Sequence, residues 1–146
     1  MINDFKPYID HLKSVGLRPT RQRLSICKVL FGRPDTFHFT IKKLKKIIEQ
    51  NSKNRMSLAT VYNTVSAFKK SGYLKEVTLK GNKTFFDTNI KSHHHFYDED
   101  TGKLLDIKNE DMLVSKVPHI PNGKKIREIE ITVRIASDNH NRKISS

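Results

Sequence analysis

"SLATVYNTVSAFKKSGYLKEVTLKGNKTFFD", residues 57–87, decides how the chain is read. Ser57 offers a side-chain oxygen as an N-cap, and helical spacing then holds from Leu58 until Gly72 stops it. The expected buried stripe is Leu58, Val61, Val65 and Phe68. At about 100° per residue, the opposite face carries Thr60, Asn63, Ala67 and Lys70. That face is small and polar, so a partner's backbone can approach it. Two strands follow, turning at Gly81-Asn82 with Lys80 and Lys83 at the tip, which is the signature of a β-hairpin.

The residues upstream supply three more helices. Phe5, Tyr8, Ile9, Leu12 and Val15 recur at helical spacing and Gly16 closes the segment. Pro19 breaks the chain, and Thr20 caps a second helix through Leu24, Cys27, Leu30 and Phe31. "GRPDTFHF", residues 32–39, reads as a loop. Thr40 caps a third helix with the stripe Ile41, Leu44, Ile47 and Ile48, and Lys42, Lys43, Lys45 and Lys46 occupy its other positions. Helices, a short connection, a helix with a smooth polar face and a basic hairpin make the order of a winged helix-turn-helix. In that motif the recognition helix enters the major groove and the wing approaches the backbone.

Charge divides the chain at the same place. Residues 1–85 hold 18 Lys+Arg and 5 Asp+Glu, while residues 86–146 hold 10 of each. The whole net charge of +13 therefore belongs to the first half. A field of this kind attracts polyanions, and phosphate contacts supply most non-specific nucleic-acid affinity. At 146 residues the chain fits one ordinary domain or two small ones, and two small ones would favour oligomerisation for extra burial. No run of 18 apolar residues and no signal-peptide segment is present, so a cytoplasmic protein without a membrane partner is expected. Cys27 is the only cysteine, which excludes an internal disulfide and a multi-cysteine zinc site. It lies on an apolar stripe and reads as a small core residue.

After Asp87 the pattern turns to strands. "HHFYDEDTGKLLDI" reads as two strands around Thr101-Gly102, "NEDMLVSKV" as one or two helical turns, and "REIEITVRI" as a strand with Ile129, Ile131, Val133 and Ile135 on one face. Candidate ligands lie at His38, Asp87, His93, His94, His95, Asp106 and Glu130. Strand alternation puts His93 and His95 on one side and His94 on the other, so the run can serve two sites. Imidazoles with carboxylates suit Zn, Fe(II), Mn or Co. A histidine run is equally a credible axial ligand to haem, with Phe96 and Tyr97 offering an apolar surface to the porphyrin. The bland alternative is a solvated turn. His11, His119 and His140 are isolated and read as surface residues. A metal-dependent nucleic-acid hydrolase is the rival from another class, but no HExxH helix, P-loop, nucleophile elbow or deaminase Cys pair appears. No enzyme is expected.

"GLRPTRQRLSICKVL" (16–30), "SLATVYNTVSAFKKSGYL" (57–74) and "HHH…GKLLDI" (93–107) together resemble the ferric uptake regulator (Fur) family of bacterial metal-sensing repressors. The resemblance implies an α+β fold: an N-terminal winged helix-turn-helix, residues 1–88, and a C-terminal α/β dimerisation and sensing domain, residues 89–137. Residues 138–146 are expected to be a disordered tail. It further implies a homodimer on palindromic double-stranded operator DNA, with Tyr62 contacting DNA beside Asn63 and Arg18 approaching the minor groove or backbone. With Arg21, Thr60, Lys70, Lys80 and Lys83, these form the expected DNA-binding set. An inter-domain metal site would draw on His38, Asp87 and Asp106, the last two usually Glu in the family. The family's usual "HHDH" is "HHHF" here, so Phe96 stands where a ligating histidine is expected, with His94 as a substitute. The CxxC pairs of a structural zinc site are absent. These departures resemble the iron response regulator branch, which implies an iron- or haem-responsive regulator with ligand at His93–His95. A peroxide, zinc or manganese sensor of the same family is the alternative. The expected cofactor is a divalent metal (Fe, Zn or Mn), or haem.

Overall fold

The structure, a computed structural model, describes residues 5–51 and 55–138. It divides into two compact units, Met1–Ile90 and Lys91–Ser146. Except for Asp138, the expected tail lies outside the described residues.

The first unit runs α1 (Lys6–Ser14), α2 (Arg21–Phe31), β1 (His38–Phe39), α3 (Ile41–Asn51), α4 (Leu58–Lys70), β2 (Lys75–Leu79) and β3 (Lys83–Asp87). Side-chain oxygens of Thr20, Thr40 and Ser57 accept from the backbone N–H groups of Arg23, Lys43 and Thr60, and so start α2, α3 and α4. The helices bury one shared core: Leu12 of α1, Ile26, Cys27 and Leu30 of α2, Leu44 and Ile48 of α3, and Val61, Val65 and Phe68 of α4. Two positions of α4 depart from the expected stripe. Leu58 is 48% exposed, whereas Thr64 is buried and its hydroxyl donates to the Thr60 carbonyl oxygen at 2.7 Å. That bond is how a polar side chain is tolerated there. His11 is not a bare surface residue: it stacks on Phe31 at 5.0 Å between centroids and meets Tyr73 edge-on at 4.6 Å.

The sheet of this unit has the order β1-β3-β2, all antiparallel. The wing β2–β3 turns over three residues between the paired Leu79 and Lys83, where Gly81 and Asn82 have positive φ of 85° and 61°. β1 lies within the segment expected to be a loop. Two residues are too short to show a period, and only pairing with β3 defines them. Its register sets His38 opposite Asp87 and Phe39 opposite Phe86. The Phe37 amide donates to Thr88 Oγ1 and the Thr88 amide to the Phe37 carbonyl, at 2.8 and 3.1 Å, clamping the end of the ladder.

The second unit is a sheet of order β5-β4-β6, with β4 (His93–Asp98), β5 (Leu104–Lys108) and β6 (Thr132–Ile135). β4 is antiparallel to β5 and parallel to β6. Asp98 Oδ1 accepts from the Asp100 and Thr101 amides and organises the connecting turn, where Gly102 has φ of 71°. The expected strand over 127–135 is shorter. Ile131, Val133 and Ile135 alternate as half-buried residues, but Ile129 is exposed and ladder pairing starts only near Thr132. "NEDMLVSKV" contributes one 3-10 turn, Asn109–Asp111, rather than helix. Helices in one unit and two separate sheets make the chain α+β.

Candidate metal centre and nucleic-acid face

In the first unit the β1–β3 register brings two side chains together. His38 Nε2 lies 3.1 Å from Asp87 Oδ2, and Asp87 is fully buried. Its other oxygen accepts from the Asn89 amide at 2.8 Å. A buried carboxylate needs such partners, because burying an unpaired charge is strongly unfavourable.

In the second unit, β4 pairs His95 directly with Asp106 of β5, and places His93 diagonally from it on the same face. Nε2 of His93 and Nε2 of His95 each lie 3.4 Å from the same oxygen, Asp106 Oδ1. The two rings meet at 4.5 Å between centroids. His93 Nδ1 faces the Lys91 carbonyl oxygen, which only accepts, so Nδ1 carries the proton and donates. Nε2 is then left to meet a carboxylate oxygen through a further proton or a cation. Ligating histidines generally have this arrangement, with one ring N–H fixed on a carbonyl and the other nitrogen aimed at the metal. Two imidazoles and a carboxylate on one face of this sheet suit a hard-to-borderline divalent ion such as Fe(II), Mn(II) or Zn(II).

The remaining candidates fall elsewhere. His94 is buried on the opposite face of β4, and its Nδ1 accepts from the Ile131 amide at 3.0 Å, tying β4 to the chain entering β6. Glu130 is exposed and precedes β6. Phe96 sits on the His94 face, paired with Leu105 and Val133, so it leaves no gap among His93, His95 and Asp106. Haem finds no support in this geometry. His93 and His95 crowd one carboxylate oxygen, a spacing for a small cation rather than a porphyrin plane.

On the first unit, α4 exposes Ala59, Tyr62, Asn63, Lys69 and Lys70, with Tyr62 57% exposed and Thr60 half-buried. Ala67 is half-buried, so the open face is turned toward Tyr62 from the expected one. Arg18 and Arg21 are exposed at the start of α2, and Lys80 and Lys83 on the wing. Two features were not legible as site elements. Lys69 pairs with Glu76, joining α4 to β2. Lys42 lines a cleft with Tyr62, Asn82 and Lys83; its signal in the sequence was only a place in a lysine-rich helix.

Residues 14–134 match the ferric uptake regulator family. The peroxide operon regulator of Bacillus subtilis (strain 168) is 35% identical over 104 residues, 71% of this chain and 70% of its own. The peroxide-responsive repressor PerR of Staphylococcus aureus (strain Mu50 / ATCC 700699) is 30% identical over 106 residues, 73% of this chain and 70% of its own. The ferric uptake regulator of Pseudomonas aeruginosa with manganese superposes with a TM-score of 0.64 at 18% identity, covering 90% of this chain and 98% of its own, a likeness of fold. The two sequence relatives named above are peroxide regulators, and the resemblance to the iron response regulator branch is not supported.

Proposed function

The chain belongs to the ferric uptake regulator family, and from that premise we propose that it is a divalent-metal-dependent repressor acting as a homodimer on duplex operator DNA. The family is one of transcription regulators, which sets aside the hydrolase alternative. The observation that carries the metal reading is the His93–Asp106–His95 arrangement, with His93 oriented through Nδ1 by the Lys91 carbonyl. One cation would draw on this set and on His38 with Asp87. Asp87 and His93 are six positions apart, a tether of at most about 20 Å. Such a cation binds only one arrangement of the units well, and that differential affinity shifts the population competent for DNA.

DNA contact falls to Tyr62 and Asn63 on α4, supported by Arg18, Arg21, Thr60, Lys70, Lys80 and Lys83. The basic first half supplies the phosphate term. The second unit supplies the dimer contact, supported by its exposed apolar residues Phe96, Leu105, Leu113, Val114 and Val117.

Peroxide is the input that the named relatives favour. Cys27 is not its sensor: burial pushes the thiol up to about 12, and the thiolate is the reactive form. A redox-active metal held by His93, His95 and Asp106 would supply the peroxide chemistry instead. The test strips the protein with chelator, reloads it with Mn(II), Fe(II) or Zn(II), and follows duplex binding by anisotropy before and after hydrogen peroxide. Metal is expected to restore binding, and peroxide to release the Fe(II) form alone. Binding indifferent to metal removes the sensor reading, and an Fe(II) form indifferent to peroxide removes the peroxide input.

A further inference from the structure

The four lysines of α3 are not equivalent. The Lys45 ammonium is paired with Glu49 one turn on. Lys43 reaches the Phe37 ring, 5.9 Å from its centroid. Lys42 and Lys46 are exposed, and among the described residues neither has a carboxylate partner. They stand four residues apart on one face of the helix, where like charges repel and destabilise it. A pair of this kind is unfavourable in the free protein unless a ligand offsets it.

Their surroundings identify the ligand. Lys42 lines the cleft that also holds Tyr62 of α4 and Asn82 and Lys83 of the wing. Lys42 and Lys46 both line a second cleft that includes Leu58, the first residue of α4. The two charges therefore border the exposed face of α4 without lying on it. A helix placed beside the reading helix crosses the sugar-phosphate backbone rather than the base edges. Ammonium groups there act as point charges for phosphate oxygens.

We propose that Lys42 and Lys46 form a two-phosphate clamp on the backbone of the duplex whose groove α4 enters. This rests on the DNA-binding reading above and adds residues and a sequence-independent role to it. The clamp contributes affinity on any duplex and no discrimination among sequences, because phosphates carry no sequence information.

The salt dependence of binding tests the clamp. The full chain, with and without added Mn(II), is titrated against a duplex of arbitrary sequence over a range of NaCl. The Lys42→Gln/Lys46→Gln variant is compared with Lys43→Gln/Lys45→Gln, which removes the same charge from the same helix. Each lost phosphate contact lowers the slope of log K against log salt by about 0.9. The first variant is expected to lose about 2 from the slope, and the second to keep the parent slope. Equal losses in both variants overturn the clamp in favour of a diffuse field, and unchanged slopes in both overturn it outright. Parent protein that binds no duplex at any salt fails the DNA-binding reading itself, a distinct result. Thermal melting checks the fold: removing the Lys42–Lys46 repulsion leaves the variant at least as stable as the parent.

Discussion

The two units bury different chemistry. Among the described residues, sixteen of the eighteen buried apolar ones lie in residues 5–90, and only Leu104 and Ile107 lie beyond. The second unit buries His93, His94 and His95 instead, and exposes seven large apolar residues, from Phe96 to Ile129. A unit with so few buried hydrocarbon side chains gains little from the hydrophobic effect. On the reading proposed above, its stability would depend on what it binds, cation or second copy. The first unit closes its own core and presents charge outward. One half is built to persist, and the other to respond.

The sharpest break of this contrast is a cavity in the first core. Phe68 is fully buried against Phe31 and Tyr73, so Phe68→Ala should cost about 3–5 kcal/mol in urea unfolding. A loss under about 1 kcal/mol would show that the helical core is not the stable partner. The second unit should answer to metal instead. Mn(II) at a hundred times its dissociation constant should add about 2.7 kcal/mol of stability, read as slowed amide exchange in β4 and β5, and Asp106→Ala should abolish the gain. Slowing confined to α2 and α4 would place the cation elsewhere.

Next comes Gly32, at the end of α2. An added Cβ would lie 2.5 Å from the Lys28 carbonyl oxygen and 2.6 Å from Tyr8 Oη. Gly32→Ala should therefore lower stability by about 1–3 kcal/mol, measured as a fall in Tm. Ser57 caps α4 through the Thr60 amide at 3.1 Å, and Ser57→Ala should cost about 1 kcal/mol. Because that cap also fixes the start of the reading helix, DNA affinity should fall with it, while metal affinity stays.

The smallest expected effect is at Cys27. Its thiol is buried and raised to about 12, so folded protein at neutral pH should not react with Ellman's reagent or peroxide. For the sign, an acid whose folded pKa is raised stabilises the fold below its unfolded pKa, near 8.5. That contribution should be lost as pH climbs from about 8.5 toward 12. A thiol that reacts rapidly under native conditions would make the first unit a second responsive element and erase the contrast.

The helices, their caps, the wing turn at Gly81-Asn82 and the charge division follow from the sequence, because each depends on residues within one or two turns of one another. So does the separation of His94 from His93 and His95, since strand alternation is a local rule. The exposed face of α4 was legible only approximately: spacing places Leu58 and Thr64, but packing decided that Leu58 is open and Thr64 closed. The tertiary structure alone decided which candidate ligands meet within each unit. His38 faces Asp87 because a two-residue strand pairs with one almost fifty positions later. Asp106 serves both histidines because the β4–β5 register sets it opposite His95 rather than one residue away. A slip of one residue would have turned the carboxylate to the other face. Register between distant strands is fixed by pairing energies that no local pattern carries, and the ligand set is therefore a property of the folded chain.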